Sequence, residues 1–142
     1  PVPYVRRTVT MLIEPATFLR RVTDDFLQAG GVFVVRDFID RADVLSLAEP
    51  VIFNCTGLGA AQLFGDTELT PVKGHLLFLP PDLDVDYLTI GGGDGLLYMF
   101  PRSDALVLGG SFLIGDGTTH VDPAESRRIL TGHQKLFAYF RA

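Results

Sequence analysis

Val51-Ile52-Phe53-Asn54-Cys55-Thr56-Gly57-Leu58-Gly59-Ala60-Ala61 decides the fold class of this chain. An apolar run enters a glycine turn, and small residues then open a helix. In α/β folds this strand-turn-helix junction is where ligands bind, because backbone N–H groups can face a phosphate or flavin edge with no side chain in the way. The spacing is not a complete dinucleotide fingerprint. Gly57 and Gly59 supply G-x-G, but the sixth position is Gln62, and no acid follows at the end of a parallel strand to take a ribose hydroxyl. Thr56, Gly57 and Gly59 are therefore candidate cofactor-binding residues, beside the plainer reading of a tight turn packed against its neighbours.

Upstream, Pro15 to Ala29 reads as a helix. Pro15 suits its first turn, Phe18, Leu19, Val22, Phe26 and Leu27 recur on one face, and Gly30-Gly31 ends it. Val32 to Val35 then reads as a strand buried on both faces. Arg41 to Ala48 is expected to form a short helix with Val44, Leu45 and Leu47 inward, before the strand Val51 to Phe53. Residues 12–66 thus look like half of a parallel α/β layer. Downstream, runs at 74–79, 87–90, 96–100 and 106–112 are separated by Pro80-Pro81, Gly91-Gly92-Gly93-Asp94-Gly95 and Arg102-Ser103-Asp104. These turn signals predict an antiparallel meander over 70–113. A last helix is expected over 122–141, with Asp122 as N-cap, Pro123 in its first turn, and Ile129, Leu130, Leu136, Phe137 and Phe140 inward. The fold class is mixed α/β: part of a parallel α/β layer, an antiparallel sheet and a C-terminal helix.

Composition excludes other classes. With 47% hydrophobic residues, 11 Phe and a mean hydropathy of +0.28, the chain must fold around a core. Twelve Lys and Arg against 17 Asp and Glu leave no basic stripe for phosphates, so no nucleic-acid partner is expected. No apolar run reaches the roughly 18 residues a spanning helix needs, so no membrane partner is expected either. Cys55 is the one cysteine and no signal peptide is read near the start, so a cytoplasmic location is the default. A homo-oligomer is compatible with this composition. The opening Pro1-Val2-Pro3-Tyr4, without Met, suggests a piece of a longer chain.

Tyr98 is the leading candidate for chemistry. Strand alternation puts it on one face with Leu96 and Phe100, opposite Leu97 and Met99. A phenol at the end of an apolar strand suits recognition of a small carboxylate, especially beside a guanidinium, and Arg102 is the nearby cation. The competing reading is a core or rim tyrosine. His75 reads as structural. His120 and His133, one in a loop and one on a polar helix face, have no partner at metal spacing, so no metal site is expected. Cys55 reads as a buried structural thiol, Ser103-Asp104 and Ser111 show no nucleophile-elbow pattern, and Asp24-Asp25 read as solvated.

Taken together, Asn54-Cys55-Thr56-Gly57, then Gly65-Asp66, then Pro71-Val72-Lys73-Gly74-His75, then Leu97-Tyr98-Met99-Phe100-Pro101-Arg102, then Leu108-Gly109-Gly110-Ser111-Phe112 resemble the D-amino-acid oxidase family of FAD-dependent oxidoreductases, in order and spacing, over roughly residues 10–140. The resemblance implies FAD as cofactor and a small amino acid or amine as substrate. The substrate's Cα hydrogen would pass as hydride to the flavin, with peroxide formed on reoxidation. By match to the motif, Thr56 and Gly57 would lie close to FAD and Tyr98 would meet the substrate carboxylate. The family's Gly-rich dinucleotide turn and its Gly-x-Arg-Pro-x-Arg segment are absent from these residues. The resemblance therefore implies a C-terminal portion of the enzyme, inactive alone. The alternative is a non-catalytic ligand-binding or interaction module derived from the substrate domain.

Overall fold

The computed structural model describes residues 5–93 and 95–138. Its elements in chain order are α1 (Pro15–Gln28), α2 (Arg41–Leu45), α3 (Gly59–Phe64), β1 (Val72–Lys73), β2 (Leu77–Leu79), β3 (Thr89–Gly93), β4 (Gly95–Pro101), β5 (Leu106–Gly109), β6 (Leu113–Ile114) and α4 (Pro123–Ala138). The mixed α/β class holds, with an antiparallel sheet and a C-terminal helix. Asp94, Phe140 and Arg141, which the sequence reading assigned to a turn and to the last helix, lie outside the described residues, as do Pro1 to Tyr4.

The core is a four-stranded antiparallel sheet in the order β2-β5-β4-β3. β3, β4 and β5 form the expected meander, with Ile90 opposite Tyr98 and Tyr98 opposite Gly109. β2 departs from it: it crosses to the far side and pairs with β5, Leu77 facing Leu108. A separate two-stranded ladder joins β1 to β6. The period-two pattern of β4 sorts its side chains as expected, Leu97 being 3% and Met99 2% exposed on the face that α4 covers. Met99, Leu108 and the fully buried Ile129 form the centre, with Leu77, Val85, Leu106 and Phe137 around them.

α4 starts where the sequence says. Asp122 Oδ1 accepts from the Ala124 N–H at 2.8 Å, satisfying one of the free donors of the first turn. Its buried stripe differs from the expected one. Leu130 is exposed, whereas His133, read as polar-face, is buried. Residues 129, 133 and 137 stand four apart on one face, so the histidine follows its aliphatic neighbours into the core.

The first half follows its local signals but not its expected pairing. α1 ends at Gly30-Gly31 with Gly30 N–H on Leu27 O and Gly31 N–H on Phe26 O, a reciprocal C-terminal closure. α2 is shorter than expected and is capped by Asp40 on the Asp43 N–H at 2.9 Å. Val32 to Val35 and Val51 to Phe53 are not strands: among the described residues no parallel pair forms, and both runs lie outside any ladder. Without a neighbouring strand such a segment can satisfy its N–H and C=O groups only in water, which keeps it out of the core. Val34 is accordingly 80% and Phe53 86% exposed, and the apolar face of α1 is open as well. Phe33 touches Phe26, their ring centres 5.0 Å apart, which lays the segment against α1. Glu14 ties this half to the sheet: its carboxylate accepts from the Ser103 N–H at 2.8 Å and from the Ser103 hydroxyl. These bonds, the hydroxyl's first, hold the Glu14 carboxyl below its ordinary range.

Candidate functional site

The glycine turn is built from its own side chains. Asn54 Oδ1 accepts both the Thr56 hydroxyl at 2.7 Å and the Thr56 N–H at 3.2 Å, folding the chain back. Gly57 takes φ +56°, a conformation in which a Cβ is costly, and nothing lies within 4 Å of where that Cβ would stand. Gly59 N–H on Thr56 O and Ala60 N–H on Gly57 O then begin α3. The turn therefore presents bare backbone to an open face, the requirement for a flat or anionic ligand to approach. Cys55 is exposed rather than buried, because the run before it has no sheet to enter.

Leu58 at the tip of this turn borders a cavity of about 420 Å³, whose other walls are residues 71–76 and 116–121 and Ser126. Its charges are paired within the wall. Lys73 Nζ lies 3.3 Å from Asp116 Oδ2 and donates to the Thr118 hydroxyl at 2.8 Å. Hydrogen bonds from the Thr118 hydroxyl and N–H, with Lys73 adding to them, lower the Asp116 carboxyl to about 2. A carboxyl below its unfolded value of 3.8 contributes stability that is fully present above that pH and lost as pH falls through about 2. Asp116→Asn is thus expected to flatten the acid limb of a melting-temperature profile between those two values while leaving the profile above pH 5, on the order of a unit past the unfolded value, unchanged in slope. An unaltered acid limb would rule this carboxylate out as its source.

His75 closes the same wall. Its Nε2 lies 3.1 Å from the Asp122 N–H and accepts from it, so the proton sits on Nδ1 and is donated to Ser111 Oγ at 3.1 Å. The Ser111 oxygen also accepts the His75 N–H at 2.8 Å. Both ring nitrogens are engaged in joining the connection between β1 and β2, the segment after β5 and the start of α4, as the structural reading expected. Among the described residues no group of three metal-ligating side chains converges.

Tyr98 stands on the opposite side of the sheet from Leu97 and Met99, its ring 5.2 Å from that of Phe100. It lies flat against the end of β5. A Cβ at Gly109 would come within 2.1 Å of the ring and one at Gly110 within 2.5 Å, so only glycine leaves room. The Tyr98 hydroxyl makes no hydrogen bond with the described residues, although the ring beneath it is closely held.

The polar groups under this ring are also held. Gly110 N–H donates to Leu96 O at 2.9 Å, His133 Nε2 lies 2.8 Å from Gly109 O, and Arg128 donates to Gly110 O at 2.8 Å. A carbonyl only accepts, so His133 carries its proton on Nε2, and its Nδ1 is left buried without a partner among the described residues. Such an atom costs roughly 1–3 kcal/mol. Glu125 braces Arg128 at 3.0 Å, which lowers the Glu125 carboxyl and raises the guanidinium. The sequence reading missed both Arg128 and His133, and the four-residue spacing from Ile129 was the signal for the second.

Arg102 is not brought to Tyr98 by any hydrogen bond or ring contact among the described residues. It closes the turn after β4, its guanidinium paired with Asp104 and its N–H on Ala105 O, while its Nε is buried and unpartnered. Thr56, Gly57 and Gly59 come together in one turn; Tyr98 belongs to the separate face just described.

No protein-family model matches the chain. Individual relatives do. It is 31% identical over 125 residues to the D-amino-acid oxidase of Rubrobacter xylanophilus, covering 87% of this chain and 38% of that one. It is 31% identical over 121 residues to the D-amino-acid oxidase of Streptomyces coelicolor, covering 84% and 37%. The chain belongs to the D-amino-acid oxidase family. The human D-aspartate oxidase is 37% identical over 81 residues, 57% of this chain and 23% of that one. This D-amino-acid oxidase family chain thus spans no more than 38% of the length of these relatives. Among its described residues no helix is long and apolar enough to cross a membrane.

Proposed function

We propose that this chain forms the substrate-carboxylate side, and part of the cofactor layer, of a FAD-dependent oxidase acting on a D-amino acid or a similar small amine. The observation that carries the reading is Tyr98: a closely packed ring with an unpartnered hydroxyl, on the strand that matches the family motif. A phenol held this way meets a carboxylate without first breaking a bond to the described residues, so the ring's orientation is set before substrate arrives. Arg102 has no part in the reading, since Asp104 already meets its charge.

The bare turn at Thr56, Gly57 and Gly59 fits a flavin edge, because no side chain stands before Gly57. In this reading residues 12–66 belong to the cofactor layer and 70–113 to the substrate side. FAD, when bound, supplies the hydride acceptor, and this chain's residues bind and orient what is oxidised. A peroxide-coupled screen of the intact protein with D-amino acids, glycine and sarcosine is expected to give turnover with at least one of them. Tyr98→Phe should then raise KM by about 10- to 150-fold, the value of one hydrogen bond to a charged group. Absence of peroxide from a flavin-loaded protein would overturn the activity, and an unchanged KM would make Tyr98 structural.

A further inference from the structure

We propose that His133 and Arg128 of α4 are positioning residues for Tyr98, acting through the Gly109-Gly110 backbone on which its ring lies. The inference deepens the reading of Tyr98 as the carboxylate contact and rests on it. The strand end could sit in several places, because two adjacent glycines carry no side chain to anchor it. Here its carbonyls are anchored from the far side of the sheet, Gly109 O by His133 at 2.8 Å and Gly110 O by Arg128 at 2.8 Å.

His133 is an expensive way to fill a core position, with one ring nitrogen buried and unpartnered. An aliphatic residue would avoid that but remove the side-chain donor that reaches Gly109 O from α4. The donor is therefore what the site needs. Phe137 stacks on the imidazole with ring centres 6.1 Å apart, and Glu125 holds Arg128, so both donors are themselves fixed. α4 touches neither the open face of Tyr98 nor the glycine turn through these residues. The bonds to Gly109 O and Gly110 O reach Tyr98 through the peptide they hold.

The test uses the intact protein with tyrosine labelled by ¹³C at Cζ, the Tyr98 resonance being identified by its loss in Tyr98→Phe. In His133→Leu this resonance should shift or split, while His133→Gln, which keeps a donor near the Nε2 position, should restore one line near the wild-type position. With D-alanine as probe, His133→Leu should raise KM about three- to tenfold and change kcat less than twofold, and the glutamine variant should recover KM. Arg128→Met removes the second anchor at a half-exposed position and should move the same resonance, which covers the case in which His133→Leu does not fold. An unmoved Tyr98 resonance in folded His133→Leu or Arg128→Met, or a glutamine variant no better than leucine, overturns the proposal. If instead the resonance moves but Tyr98→Phe leaves KM for D-alanine unchanged, the positioning stands and the carboxylate reading falls.

Discussion

Gly109→Ala is expected to disable carboxylate binding while leaving the protein folded. The new methyl would stand 2.1 Å from the Tyr98 ring, far inside van der Waals contact, so one of the two must move. The backbone of Gly109 is not in the left-handed region, so alanine itself is tolerated there. The ring is the part that can yield, because it faces away from α4 and the buried cluster. Overpacking of this kind costs about 1–3 kcal/mol, and most of it should appear as a displaced Tyr98 rather than as a lower melting temperature. KM for the substrate found in the peroxide screen should rise at least as much as in Tyr98→Phe. Combining the two substitutions should add little, since phenylalanine has no hydroxyl left to misplace. Full additivity of the two effects would show that Gly109 and Tyr98 act independently.

Ile129→Ala should have the largest effect on stability. Ile129 is 0% exposed and joins α4 to Met99 and Leu108, so its truncation removes buried methyl groups from the middle of the core. The expected loss is about 2–5 kcal/mol, measured by urea unfolding. Against a total of roughly 5–15 kcal/mol for a domain of ordinary stability, that is enough to leave a substantial fraction unfolded on mild warming. Leu130→Ala, one residue on but exposed, should stay within about 0.5 kcal/mol. Equal losses at the two positions would mean that α4 docks by another face.

The parts of the fold legible in the sequence are those fixed by neighbours close in the chain. Asp122-Pro123 starts α4 because a cap needs only the next few residues, and β4 shows its faces because alternation is local. The glycine turn was legible for the same reason, Asn54 and Thr56 being two positions apart. Three features were not. The crossing of β2 to the edge of β5 depends on which strand end lies open after the meander forms, which no local pattern encodes. Val32 to Val35 and Val51 to Phe53 have the composition of buried strands, but composition does not supply the partner that makes a strand. His133 was read by its polarity, whereas its place on the helix and the Gly109 carbonyl within its reach decided its burial. As for the site, Tyr98's face followed from periodicity, but the two glycines beneath it and the pairing of Arg102 with Asp104 required three dimensions.

The uncovered apolar runs beside α1 bear on how this polypeptide behaves in a tube. Apolar, mostly β-branched and outside any ladder, Val32 to Val35 resemble the segments through which chains add to one another as intermolecular sheets. Arg36, Asp37 and Asp40 follow directly and act as charged gatekeepers. Mutual repulsion from the net charge of -5 helps them near neutrality, but it vanishes around the isoelectric point of about 5.0. Solubility should therefore fall steeply with concentration near that pH, and the deposit should bind amyloid-type dyes rather than redissolve as simple salted-out protein.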